Sequence, residues 1–84
     1  MKILIESNNK NIGKIAIVKD KNSIYYNEWG RITDIDDDYY YLSIADDTSS
    51  QPVFSRQDIK ILSNTHPLVI NINNSMRYKN DKIN

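Results

Sequence analysis

The chain has 84 residues, of which 39% are apolar, and its 11 basic side chains balance its 11 acidic ones. This length suits one domain, since domains usually hold roughly 50 to 200 residues, and zero net charge argues against bulk attraction to nucleic acid or anionic membranes. The absence of cysteine excludes a disulfide framework, and no apolar stretch approaches the ~20 residues of a membrane-spanning helix. We therefore expect a single soluble, cytoplasmic domain without a membrane span.

Five short runs rich in β-branched or aromatic residues, each bounded by turn residues, predict five strands. These runs cover residues 14–19, 31–35, 39–45, 51–55 and 59–62, with one helical turn expected at 56–58. The second and third strands should form a hairpin over the Asp36–Asp38 turn, because aspartate bonds its own backbone and tolerates tight turns. The sequence therefore predicts a meander of short strands.

Alternation along the third strand predicts which of its side chains are buried. Successive side chains of a strand point to opposite faces, so one face should be in the core and hold Tyr40, Leu42 and Ile44. The other face should then hold Tyr39, Tyr41 and Ser43.

The two ends of the chain have different predicted roles. Residues 2–6 and 68–72 are apolar enough to add strands at an edge of the sheet, whereas residues 73–84 are Asn-rich and predict a flexible polar tail. We expect one domain over residues 1–72 with its core in residues 12–63.

The order of elements resembles an SH3-like small barrel. A strand, a long loop, a hairpin, a fourth strand, one helical turn and a last strand follow each other over residues 12–63. The predicted fold class is therefore all-β, an SH3-like five-stranded barrel with extra N- and C-terminal strand segments. Because such folds host many activities, this resemblance says little about function.

Two stretches resemble a more specific family. Residues 14–19 form an apolar strand ending in a basic residue, and Tyr25–Gly30 then supplies an aromatic pair, Asn-Glu, one residue and Gly. Residues 54–59 run from Phe through polar residues to an acid and an apolar residue. This pattern is similar to the stromal E subunit of photosystem I, a family of small non-catalytic barrels that help to seat ferredoxin or flavodoxin.

The family resemblance implies docking roles for Lys19 and Arg31, a structural role for residues 26–30 and a place on the stromal side of a thylakoid complex. The chain departs from the family at residues 46–51, which replace a long aromatic loop. The acidic Asp36–Asp38 would also oppose an acidic ferredoxin.

The aromatic residues are the main functional indication. The six Tyr and one Trp concentrate in the loop before the second strand and after the Asp turn, and both residue types dominate interface hot spots. We predict a protein-docking or adaptor module that binds a basic or proline-rich partner. Its predicted protein-binding residues are Tyr25, Trp29, Asp36, Asp37, Asp38, Tyr39 and Tyr41, and its candidate basic docking residues are Lys19, Lys21 and Arg31.

Three alternatives stay open. Trp29 and Tyr40 could fill the core, and the Asp cluster could consist only of turn residues. A nucleic-acid module of the KOW or Sm-like kind would use Lys14, Lys19, Lys21, Arg31 and Arg77 on phosphates, with Tyr25 or Tyr26 on bases. A small phage or host regulatory protein that binds a host protein is the third.

Catalytic and metal-binding patterns are weak. Asp34, Asp36 and Asp38 alternate like the start of a calcium loop, but Tyr39 and Ala45 stand where that loop needs Gly and Glu. The single histidine, His66, precedes a proline and suits the entry to a turn. We therefore expect no enzyme activity, no cofactor and no metal site.

Overall fold

A computed structural model describes residues 10–83 of the chain, and its side chains as far as residue 75. The strands are β1 (Ile15–Val18), β2 (Trp29–Asp36), β3 (Tyr39–Ile44), β4 (Val53–Ser55) and β5 (Ile59–Ile61). A 3₁₀ helix at Arg56–Asp58 joins β4 to β5, and helix α1 (Pro67–Ile83) follows. The five strands and the helical turn confirm the sequence prediction for these segments, while the predicted strand at residues 2–6 lies outside the described range.

The five strands form one antiparallel sheet in the order β4-β3-β2-β1-β5. This order makes β4 and β5 the two edges, and they form no ladder with each other in residues 10–83, so the sheet does not close into the predicted barrel. Each edge strand is three residues long, and the 3₁₀ turn joins them directly. Beyond this turn β5 pairs with β1 and does not fold back along β4.

The main core lies on one face of the sheet. Tyr40 and Leu42 are buried there, as the alternation predicts, and Ile44 packs against the same cluster. The remaining buried members are Ala16, Val18, Ile32, Phe54 and Ile59. Gly30 is needed on this face because a Cβ atom there would lie 3.1 Å from Leu42 and 3.2 Å from Ile44.

Helix α1 corrects the predicted strand at residues 68–72 and makes the chain mostly β rather than all-β. Pro67 occupies the first helical position, where its missing N–H costs nothing. Just before it, His66 caps the helix by accepting the Leu68 N–H on Nδ1 at 3.1 Å. The helix continues to Ile83, so it includes most of residues 73–84, for which the sequence predicts a flexible polar tail. The predicted domain limits stay a prediction.

A second apolar cluster attaches α1 to the face of the sheet opposite the main core. Val69 and Ile72 pack with Ile15 and Leu62, while Ile17, Trp29 and Leu68 border this cluster. Ser43 also lies on this opposite face, as the alternation along β3 predicts, yet it is 2% exposed. Both faces of the sheet are therefore partly covered.

The β2–β3 hairpin turns through Asp37 and Asp38, as expected. Asp36 pairs with Tyr39 across the turn, and Asp37 has a φ of 62°, a left-handed conformation that Asp tolerates better than most residues. The Asp38 C=O accepts the Arg56 N–H at 3.2 Å. The acidic turn is thereby fixed to the 3₁₀ helix between β4 and β5.

Candidate functional site

A groove of about 480 Å³ lies between the loop after β1 and the edge strand β4. Its volume falls in the range of roughly 300–1,000 Å³ that is typical of ligand sites. The loop contributes Asp20, Ser23, Ile24 and Tyr25, and the rest of the lining is Tyr39, Pro52, Val53, Phe54, Ser55 and Asp58. We call this set of residues the β4 groove.

Local hydrogen bonds hold the loop wall of the β4 groove in place. Asp20 Oδ1 accepts the Asn22 N–H at 2.9 Å, and Ser23 Oγ accepts the Tyr25 N–H at 3.0 Å. The Lys19 N–H donates to the Asp58 C=O at 2.8 Å, which fixes the start of the loop to the 3₁₀ helix. Residues from distant parts of the chain therefore meet in one wall.

An aromatic contact forms the floor of the β4 groove. The rings of Tyr25 and Phe54 meet edge-to-face, with centroids 6.3 Å apart and planes at 85°. Such pairs contribute about 0.5–1.5 kcal/mol beyond area burial. Phe54 is buried and Tyr25 packs against the main core, so this contact also anchors the loop to the sheet.

Three large apolar side chains stay exposed in the β4 groove. Ile24 is 87% exposed, Tyr39 54% and Val53 45%. Single exposed apolar residues are ordinary, but several of them along one depression are typical of an interaction surface. This concentration makes the groove the strongest docking candidate in the described part of the chain.

The charged side chains of the β4 groove are both carboxylates. Asp20 and Asp58 line it, and among the side chains of residues 10–75 no basic one does. Asp58 Oδ2 accepts the Ser55 hydroxyl at 3.1 Å. Asp38 and Arg56 lie close by, since both line a smaller hollow that shares Ser55 with the groove. The groove therefore combines apolar contacts with negative charge.

The predicted protein-binding residues fall into four places. Tyr25 and Tyr39 meet in the β4 groove, with Asp38 beside it. Asp36 and Asp37 are exposed at the hairpin. Tyr41 is half-buried outside the groove lining, and Trp29 borders the helix-binding cluster on the opposite face of the sheet.

Arg31, one of the candidate docking cations, is held by other residues of the chain. Its Nε and Nη2 atoms donate to the two Asp46 carboxylate oxygens at 2.7 and 3.0 Å, and Nη1 donates to the Gly13 C=O at 3.2 Å. This forked contact raises the pKa of Arg31 above its ordinary value. The guanidinium is therefore a structural link between β2 and the loop after β3.

The other candidate cations do not form one patch with Arg31. Lys19 and Lys21 are exposed and flank Asp20 at the start of the loop. Arg31 pairs with Ile15 at the opposite end of β1. Strands rise about 3.3 Å per residue, so β1 separates the two groups.

Sequence reasoning missed most of the groove lining, including the residues that supply its charge and much of its exposed apolar surface, namely Asp20, Ile24, Val53 and Asp58. Ile24 carried a usable signal, because it is a lone aliphatic residue in a polar loop. Val53 also carried a signal, because alternation along the strand places its side chain on the opposite face from its neighbour Phe54. Nothing local to Asp20 or Asp58 indicated that the fold would bring them to one groove.

Comparison with protein-family models, curated proteins and solved structures found no match to this chain. Among residues 10–83, no helix is long and apolar enough to cross a membrane. The same residues include no group of three His, Cys, Asp or Glu side chains placed to bind a metal ion.

Proposed function

We propose that this chain is a non-enzymatic, SH3-like protein-docking module whose β4 groove binds an extended segment of a partner protein that carries basic and apolar residues. The observation that carries the proposal is the coincidence of Ile24, Tyr39 and Val53, all exposed, with the carboxylates of Asp20 and Asp58. Apolar side chains of the partner would cover the first three, and its lysines or arginines would meet the carboxylates.

Charge complementarity favours a basic partner over an acidic one. Seating an acidic ferredoxin, as the photosystem I resemblance implies, would need free cations at the docking surface. Arg31 is bonded to Asp46. Lys19 and Lys21 are exposed at the start of the loop, but the charged side chains that line the β4 groove itself are two carboxylates. Among docking partners, the proposal therefore favours a basic segment.

The same observations make nucleic acid the second choice. Phosphate binding needs a basic groove, and base stacking needs exposed aromatic faces. Lys19 and Arg31 lie at opposite ends of β1, and Tyr25 is packed against Phe54. Tyr26, which is 41% exposed, is the remaining candidate for stacking.

Peptide binding tests the proposal directly. The probe is fluorescein-labelled KVKLKVK, with EVELEVE as its acidic counterpart, and the readout is fluorescence anisotropy at low and moderate salt. We expect KVKLKVK to bind more tightly, and binding to weaken as salt screens the charges. Equal binding of both peptides, or no binding of either, would contradict the proposal.

Matched variants locate the binding surface. Asp20→Asn and Asp47→Asn remove the same charge, and both residues accept the N–H two positions along the chain at 2.9 Å. Only Asp20 lines the β4 groove. We expect Asp20→Asn to weaken KVKLKVK binding about two- to fivefold, the usual size of one surface ion pair, and Asp47→Asn to leave it nearly unchanged. Equal losses would indicate attraction by overall charge alone.

A further inference from the structure

We infer that the partner segment binds as an added β-strand, pairing with the outer edge of β4, which no other strand of residues 10–83 covers, through the backbone of Val53 and Ser55. This inference rests on the proposed function and specifies its binding mode. Edge strands present unpaired N–H and C=O groups that an extended peptide can use to join the sheet. The β4 groove runs along this edge, because every residue of β4 lines it.

The hydrogen-bond pattern identifies which β4 groups face outward. The Leu42 N–H donates to the Pro52 C=O at 3.0 Å, and the Arg56 N–H donates to the Asp38 C=O at 3.2 Å. Both bonds lie between β3 and the segment around β4. In an antiparallel ladder the bonded positions alternate, so Phe54, midway between Pro52 and Arg56, also turns its backbone groups towards β3.

Val53 and Ser55 are the alternate positions. They pair with Tyr41 and Tyr39 as neighbours across the ladder, and the alternation points their N–H groups, and the Val53 C=O, away from β3. Within residues 10–83, none of these three groups takes part in a hydrogen bond with another part of the chain. They are spaced as a partner strand requires, two residues apart.

Strand addition fits this groove better than recognition of a proline-rich helix. Polyproline segments bind between exposed aromatic side chains and offer few N–H groups. Here Phe54 is 8% exposed and Tyr25 is packed against it. Among the described residues, this leaves Tyr39 as the one largely exposed aromatic ring in the groove. The outward Val53 backbone is the distinctive feature of the site.

The test removes one outward N–H. Val53→Pro deletes the edge donor, whereas Val53→Ala keeps that donor and deletes most of the side chain. In the full chain, we expect Val53→Pro to weaken KVKLKVK binding about two- to tenfold relative to Val53→Ala, the net value of one hydrogen bond. Circular dichroism checks that both variants fold.

A second measurement leaves the protein unchanged. Two KVKLKVK probes carry N-methyl groups on their odd-numbered or their even-numbered residues, and a KPKPKPK probe has the same charge in a proline-rich chain. Because one set of strand amides faces β4 and the other faces solvent, one methylated probe should bind about as well as the parent. The other methylated probe and KPKPKPK should bind several-fold more weakly.

The outcomes separate the two proposals. If unmodified KVKLKVK binds but both methylated probes and KPKPKPK bind equally well, strand addition is overturned and the docking function stands. The same conclusion follows if Val53→Pro folds and binds like Val53→Ala. If unmodified KVKLKVK does not bind the wild-type chain, the docking function itself is overturned.

Discussion

Replacing Arg31 by methionine tests whether its guanidinium stabilises the fold instead of binding a partner. Methionine keeps an apolar stem of similar length and removes the fork that bonds Asp46 at 2.7 and 3.0 Å and the Gly13 C=O at 3.2 Å. The Arg31 and Asp46 side chains are 27% and 20% exposed. The substitution therefore leaves a largely buried carboxylate without its cation.

The expected loss lies between two known limits. Exposed ion pairs contribute about 0.2–1 kcal/mol, and hydrogen bonds to buried charged groups about 1.5–3 kcal/mol. With roughly a quarter of each side chain exposed, we expect Arg31→Met to lower the free energy of unfolding by about 1–2 kcal/mol. Urea unfolding followed by tryptophan fluorescence measures this loss.

A double-mutant cycle with Asp46→Asn assigns the loss to the pair. We expect a coupling energy of about 1 kcal/mol and unchanged KVKLKVK binding, because Arg31 is outside the β4 groove. The raised pKa of Arg31 means that its contribution is complete below the ordinary arginine pKa and is lost only as pH rises through the folded value. Coupling near zero, or loss of peptide binding in the folded variant, would refute this role.

Three further predictions concern stability. Val69→Ala should lower the free energy of unfolding by about 1.5–3 kcal/mol, because Val69 is packed against the sheet and only 2% exposed. Ile70→Ala should lower it by under ~0.5 kcal/mol, because Ile70 is 44% exposed. Urea unfolding of both variants checks that α1 packs as described. Ser43→Ala should raise the unfolding free energy by about 0.5–1 kcal/mol in the same assay, because the buried Ser43 hydroxyl has no hydrogen-bond partner among the described residues. The Ser49 hydroxyl and N–H lower the pKa of Asp47, so its contribution is present above the ordinary Asp pKa and is lost as pH falls through the folded value. Carboxyl carbon NMR should show this low midpoint in the wild type and a higher one in Ser49→Ala.

The strands could be predicted because their signals are local. Turn residues bound each run, and the period-two pattern of β3 identifies Tyr40 and Leu42 as buried. Helix α1 was missed because Leu68 to Ile72 is apolar enough for a strand and the Asn-rich continuation shows no extended helical stripe. Packing of Val69 and Ile72 on Ile15 and Leu62 supplies the stabilisation that local propensity does not.

The candidate site was predictable only in part for a similar reason. Tyr25 and Tyr39 stand out in the sequence as aromatic residues beside turns, and both reach the β4 groove. Asp20 and Asp58 reach one groove because β1 pairs with β5, and the Lys19 N–H extends this pairing by bonding the Asp58 C=O. These contacts join distant segments of the chain. Arg31 looked free because its partner, Asp46, follows the next strand in the sequence.

A chemical-shift map is the most direct test of the docking proposal. Labelled full-length protein would be titrated with KVKLKVK, and backbone amide spectra recorded at each step. The proposal predicts that the largest shifts cluster at Ile24, Tyr39, Val53 and Ser55, with little change at Trp29 or in the first turns of α1. Shifts confined to the α1 face, or the absence of saturable shifts, would contradict it.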